Sequence, residues 1–418
     1  MSEQDSLTGH RRTAAVGFIF VTATIDVIAL GIMIPVLPNL IKQMAGGDYA
    51  MASEINLLFA TMFGLMQFFC APVLGLLSDR FGRRPVLLTS IFGLGIDFLF
   101  MAFAPSIRWL FVGRVINGAT AASFSAANAY IADITAPDNR AKAYGMMGAA
   151  FGIGFTLGPV MGGLLAEIDL RLPFLVCAGL ALLNWLYGFF ILPESLPKEK
   201  REPKLNWKKA NPLGSLKLLR SHKDLVGLAT VGFLYQMAHV VLPVIFVLYS
   251  GYRYGWSPAM VGLSMLATGV SNIIVQALLV GPVVKRIGEH GALLLGLASG
   301  AVGFAIFGLA PSGWVYFVGV PIFALMGFTG PGMQALMTRR VAAHEQGQLQ
   351  GANSAIMGIA QIIAPSLFGF TFAFAVDHNE TLHMPGLPIL IASVLMACSF
   401  LIALQVAKPT PPAEPQPA

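Results

Sequence analysis

The chain has 418 residues, 56% of them hydrophobic and only 11% charged, whereas a soluble domain carries about 25% charged residues. That deficit excludes an ordinary soluble enzyme and a charged, disordered chain. The net charge of +6 must therefore be read from where the basic residues fall, and it calls for no nucleic-acid partner.

After a short polar start, MSEQDSLTGHRRT, apolar runs of about 20 residues recur, each long enough to cross a bilayer as helix. The expected spans are 14–38, 55–77, 86–104, 109–130, 142–166, 172–192, 224–250, 258–283, 291–310, 313–337, 349–375 and 386–407. The ten-residue alternation of an outer-membrane barrel is absent, so helix is the backbone solution left in lipid. The expected fold class is an all-α membrane protein with twelve transmembrane helices. The first run is too long for a secretory signal and lacks a small-residue cleavage site, so it should remain as a helix. Cys70, Cys177 and Cys398 lie in apolar segments without metal-ligand spacing; they read as small hydrophobes, with no disulfide or metal site expected.

Basic residues accumulate on the cytoplasmic side of membrane proteins. With the amino terminus inside, 21 of the 26 Lys and Arg fall on that side, 4 on the other, and Arg114 within a span. Both termini are expected in the cytoplasm. The stretch 193–222 is polar, basic and proline-broken, a linker between a first bundle (14–192) and a second (223–408); residues 1–13 form a cytoplasmic start, and 409–418, rich in proline, a disordered tail. An internal repeat supports the division. Adding 206 takes Gly75, Arg80 and Gly82 to Gly281, Arg286 and Gly288, the run Phe111 to Gly113 to Phe317 to Gly319, Gly145 to Gly351 and Pro159 to Pro365. Duplicated bundles of this kind hold a substrate site between them and open it alternately to each side.

The tight loop GLLSDRFGRRP, 75–85, places Asp79, Arg80, Arg83 and Arg84 between two glycines. Its basics could serve topology alone. The pattern G-x-L-x-D-R-x-G-R-R nevertheless resembles the signature loop of the major facilitator superfamily. That resemblance implies a conformational latch of Gly75, Asp79, Arg80, Gly82 and Arg83, with Asp79 meeting a helix amino terminus near Gly351 and Arg83 pairing with Asp133. In the second half the loop reads GPVVKRIGE, with Lys285 in place of Asp79, and its latch is expected to be weaker or absent.

Span 5 reads GAAFGIGFTLGPVMGG, with Gly148 and Gly152, then Gly154, Gly158 and Gly162 at four-residue spacing, and Pro159. Small residues on one stripe let helices approach closely. The stretch also resembles the superfamily's antiporter motif, which implies export.

Three formal charges remain at membrane depth away from loops and span ends: Asp26, Asp97 and Arg114. Such residues are costly and read as functional. A structural ion pair between Arg114 and one acid would leave the other unexplained. Desolvation favours a neutral carboxyl and a nearby guanidinium favours its charged form, and this opposition suits a proton site.

Asp26 with GIMIPVLP, Gln67 in LMQ, SDRFGRRPVLL, Asp97, Gly113-Arg114, IAD at 131–133 and QGQLQG at 346–351 together resemble the bacterial tetracycline/H+ antiporters, from about residue 20 to 375. The resemblance implies proton coupling through Asp26, Asp97 and Arg114, substrate contact at Gln67, a substrate that can arrive as a cationic metal chelate, and no resident cofactor. It implies the bacterial inner membrane, with protons, lipid and an amphiphilic small molecule as partners and a monomer as the working unit. Two departures stand out: GLASG at 296–300 has Gly300 where that group carries an acid, and Asn272 stands where a histidine is common.

Remaining candidates for the cavity wall are Asn117 and Asn128 in span 4, Gln236 and His239 in span 7, Asn272 and Gln276 in span 8, Gln334 in span 10 and Gln361 in span 11. Such polar stripes fit either cavity lining or helix–helix hydrogen bonds. Among Met and Phe they suit an amphiphilic drug-sized molecule. An exporter of an endogenous metabolite (siderophore, sugar or lipid) would share every coupling residue, and a non-transporting sensor would need none of them. An enzyme is disfavoured, because His344-Glu345 lacks the second histidine of a zinc-protease helix and no P-loop is present.

Overall fold

The computed structural model describes residues 3–121, 123–135, 140–201, 214–218, 223–341 and 345–406; side chains at 3–18, 123–125, 128, 132, 140–146, 149, 200, 215, 223–224 and 347 are outside that description, as is the tail 409–418. Among the described residues the elements are helical. They are α1 (Glu3–Met44), α2 (Tyr49–Phe81), α3 (Arg83–Phe103), α4 (Ile107–Thr120), α5 (Ser123–Ile134), α6 (Arg140–Ile168), α7 (Leu172–Ile191), α8 (Lys223–His239), α9 (Val241–Tyr254), α10 (Pro258–Ile274), α11 (Val280–Leu309), α12 (Gly313–Ala324), α13 (Thr329–Thr338), α14 (Gln346–Asp377), the short α15 (Asn379–Leu382) and α16 (Leu387–Val406).

Ten helical stretches among these residues are long and apolar enough to cross a bilayer. One of them, Pro258–Leu309, is 52 residues long, about 78 Å at 1.5 Å per residue against a hydrocarbon core of about 30 Å. It is two crossings, folded at Gly288, whose φ of 74° and ψ of 173° no helix contains. Together α4 and α5 supply one more, and the spans number twelve. Gly82, 206 residues earlier, turns the chain between α2 and α3 with φ 111°. Left-handed backbone of this kind is open to glycine without strain, so both sharp turns are written in the sequence.

Contacts divide the chain into two units. The first is Met1–Pro212 with Pro243–Gly269 and Pro365–Pro385; the second is Leu213–Leu242 with Val270–Ala364 and Gly386–Ala418. Within the first, α1 packs on α6 and α7, and α3 on α4 and α7. The side of this unit away from the linker is tied by buried polar bonds. Ser53 Oγ donates to Gly369 O at 2.9 Å and Asn56 Nδ2 to Val244 O at 2.7 Å, and the rings of Tyr49 and Tyr252 meet edge to face at 5.3 Å.

Within the second unit, α16 packs on α11 and α8. Three of the second-half spans are irregular within their length. Span 7 breaks between α8 and α9, where Pro243 supplies no N–H to the His239 carbonyl and its ring crowds it. Span 8 contains a π turn, Val275–Leu279, and span 10 a 3-10 turn, Leu325–Phe328. Pro331 likewise frees the carbonyl of Gly327, four residues before it. The freed oxygen accepts from Gln276 Nε2 at 3.1 Å, so the π turn and the 3-10 turn are joined. Irregular backbone persists in a membrane only where such partners satisfy it, and it concentrates at transport sites.

The expected span 4 is divided. Thr120 Oγ1 donates to Ile116 O at 2.9 Å, competing with the backbone for the carbonyls that would carry α4 onward.

Candidate functional site

Asp97, on α3, is fully buried. Asn117 Nδ2, on α4, donates to its Oδ2, and Arg114 Nη1 lies 4.0 Å from the same oxygen. The other oxygen, Oδ1, has no hydrogen-bond partner among the described residues; it faces Gly113, where an added Cβ would stand 2.7 Å from it. Gly113 thus lets the α4 backbone close onto a carboxylate. Arg114 is itself buried. Its Nη1 donates to Met33 Sδ of α1 at 3.2 Å, and its guanidinium lies over the Phe63 ring of α2, 4.7 Å from the centroid. One cation therefore touches three helices besides its own.

Asp26 is also buried on α1. It precedes Met33 by seven residues, two turns along one stripe and about 10 Å of rise. Thr22, on that stripe, donates to Asn184 Oδ1 of α7 at 3.1 Å.

At 4 Å an ion pair gains roughly 4 kcal/mol in an effective dielectric of about 20, while removing each ion from water costs several kcal/mol. Cation–π contact adds about 2 kcal/mol when desolvated. The sum is near balance, so no large net attraction fixes Arg114 to Asp97.

The loop between α2 and α3 forms a second cluster. Arg83 Nη1 lies 2.6 Å from Asp79 Oδ1 and its Nε 3.1 Å from Asp133 Oδ2 at the end of α5. Arg80 lies over the Phe81 ring, 5.4 Å to the centroid, and Gly75 has open space where a Cβ would be. Gly351 sits in the second turn of α14, in the other unit. Glu194, just after α7, was not anticipated. Its Oε1 accepts from the backbone N–H groups of Arg83 at 2.8 Å, Ser195 at 3.0 Å and Leu196 at 3.1 Å, and its carboxylate fills the space a Cβ on Gly82 would need. Ser195 Oγ donates to Asp133 Oδ2 at 3.1 Å. The start of the linker is thereby buckled onto the loop, and Glu194 is the negative charge that the amino terminus of α3 favours. Glu194→Ala is expected to remove about 1–2 kcal/mol of capping; faster amide exchange at residues 82–86, with α6 and α7 unchanged, would show it.

The glycines of α6 face two ways. Gly154, Gly158 and Gly162 lie against α1: a Cβ at Gly158 would stand 2.7 Å from both Gly31 Cα and Ile28 O, and one at Gly162 would collide with Ile32 O. Gly148 and Gly152 have nothing within 4 Å of such a Cβ. Beside this stripe the Pro159 carbonyl receives Gly262 of α10.

In the second unit a cavity of about 170 Å³ is lined by residues including Gly232, Tyr235, Gln236, Met333, Gln334 and Asn353. Gln236 and Gln334 come together there; Asn353 Nδ2 lies 3.4 Å from Gln334 Oε1 and was not anticipated. His239 is exposed, its ring 5.9 Å from Tyr235. Asn272 lies beside Gly327, where a Cβ would be 3.3 Å from its Oδ1, and Gln276 is engaged on the Gly327 carbonyl. Gln361 is exposed on α14 and Gln67 half-buried on α2. The side chain of Asn128, on α5, is outside the described residues, as is His344. Gly300 is packed on Met396 and Met326, so a carboxyl there would have no room.

A family model described as Major Facilitator Superfamily matches residues 19–365. The class C tetracycline resistance protein of Escherichia coli is 40% identical over 352 residues, covering 84% of this chain and 88% of that protein. The class B protein of Escherichia coli is 31% identical, covering 92% and 95%. The crystal structure of nucleoside transporter NupG superposes with a TM-score of 0.75 at 14% identity, covering 95% of this chain and 100% of that one; it shows the fold alone. Buried charges between helices, a glycine-hinged charged loop and an amide-lined cavity belong to a membrane transporter of small molecules rather than to an enzyme. The chain is a member of the major facilitator superfamily.

Proposed function

We propose that this chain is a proton-coupled antiporter that exports amphiphilic, tetracycline-like molecules from the cytoplasm by alternating access. It works as a monomer in the bacterial inner membrane, with both termini in the cytoplasm and no resident cofactor. The observation that carries this reading is the buried carboxylate of Asp97, held by Asn117 with Arg114 4.0 Å away. Charged, Asp97 attracts Arg114 from 4.0 Å; protonated, it leaves the guanidinium with only the Met33 and Phe63 contacts that it already makes. A neutral acid crosses an apolar barrier cheaply and a bare carboxylate does not. A cationic substrate, including a metal chelate, competes with the proton for the same charge, and competition of that kind gives exchange. Asp26, on the stripe of Met33, is the second acid of this coupling.

The cavity in the second half suits the uncharged part of such a substrate. At about 170 Å³ it is below the roughly 300–1,000 Å³ of a drug site, so it takes one substituted ring rather than a whole molecule. Arg83, Asp79 and Asp133 serve as the conformational latch. The test is uptake into everted vesicles under an imposed pH gradient, with tetracycline with and without magnesium among the substrates. Gradient-dependent accumulation of tetracycline is expected; accumulation that ignores the gradient, or none with any panel member, contradicts the proposal.

A further inference from the structure

Adding 206 to the loop network of the first half converts Asp79, Arg83 and Asp133 into Lys285, Glu289 and Arg339. Minus, plus, minus becomes plus, minus, plus. Within the second set, Glu289 and Arg339 are paired at the corresponding place in the fold. Arg339 Nη2 donates to Glu289 Oε1 at 2.6 Å, across 50 residues, the same separation that links Arg83 and Asp133. Glu289 follows the left-handed Gly288 as Arg83 follows the left-handed Gly82. The expectation of a weak or missing clamp in this half, drawn from Lys285 alone, therefore does not hold for the cross-helix pair.

Helix dipoles explain why inversion is tolerated. Glu289 stands where the helix of span 9 begins and Arg339 directly follows the last turn of α13, so an acid meets an amino terminus and a base a carboxyl terminus. In the first half both charges oppose their dipoles, and there Glu194 supplies the missing acid at the start of α3. The position 206 residues after Glu194 is Phe400. The inverted half carries no acid there and needs none.

We infer that Glu289 and Arg339 are positioning residues of the transport cycle, a clamp that fixes the start of span 9 to the end of span 10 with polarity opposite to that of the first half. This rests on the transport reading above. The experiment is a double-mutant cycle of Glu289→Ala, Arg339→Ala and both, read by amide exchange at 285–291 on purified protein without substrate and by kcat and KM in vesicles. Each single variant should exchange about three- to fivefold faster and lose kcat by a similar factor with KM within about twofold, and the double should lose no more than either single. Wild-type exchange in either single, losses that multiply in the double, or faster exchange with kcat untouched would overturn the assignment. A wild-type protein that moves no tetracycline would defeat the substrate assignment instead, and the exchange measurements would still decide the clamp.

Discussion

Asp97→Asn is expected to abolish gradient-driven accumulation in everted vesicles, down to the level of vesicles lacking the protein. The amide keeps the volume of the carboxyl and can still accept from Asn117, so the pocket between α3 and α4 stays filled. What disappears is the titrating charge. The variant leaves Arg114 without its buried counter-ion, which costs up to about 3–5 kcal/mol when nothing else compensates; here the Phe63 face and Met33 sulfur remain. The protein should therefore extract as a monodisperse species while failing to couple. Normal accumulation in Asp97→Asn would remove this residue from the mechanism. Loss of the folded protein would be distinguished from loss of coupling by size-exclusion chromatography.

Gly158→Leu is expected to eliminate transport and lower thermal stability, whereas Gly152→Ala leaves both near wild type. At Gly158 the new Cβ meets backbone on α1, Gly31 Cα and Ile28 O, each at 2.7 Å. No side chain there can yield, so the helices must part at a cost of about 1–3 kcal/mol or more. Because α1 carries Asp26 and Met33, its displacement also disturbs the partners of Arg114. At Gly152 a Cβ meets nothing within 4 Å, so the added methyl displaces no neighbour. A thermal melt of the two variants in detergent checks the contrast; equal melting temperatures would mean that α1 and α6 do not depend on this approach.

The twelve spans were legible because lipid leaves the backbone one solution and sets its length. The two sharp turns were legible through Gly82 and Gly288. The pairing of Arg83 with Asp133 was implied by the resemblance of the loop to the superfamily signature, and Arg114 stood out as the one base among three formal charges at membrane depth, although the sequence left open which of Asp26 and Asp97 it meets. Less was readable where a side chain answers to a distant backbone. Glu194 sits in a proline-rich stretch that reads as linker, and its value comes from the α3 amides to which the chain returns. Asn117 reads as cavity lining; in the fold it holds Asp97. Gln276 reads the same way, yet it satisfies the carbonyl freed by Pro331 on another span. Asn353 lies one turn after Gln350 on the same helix, and only the fold shows that its amide meets Gln334 of another span. The inverted clamp was hidden because a repeat is sought as identical residues, while electrostatics repeats equally well with every sign exchanged.

Substrate binding is expected to drive a proton off the protonated Asp97 carboxyl, leaving the carboxylate paired with Arg114. Purified protein in weakly buffered detergent, titrated with tetracycline and magnesium, should release protons in proportion to sites filled, and the Asp97→Asn variant should bind without that release. Equal release from both proteins would contradict the account.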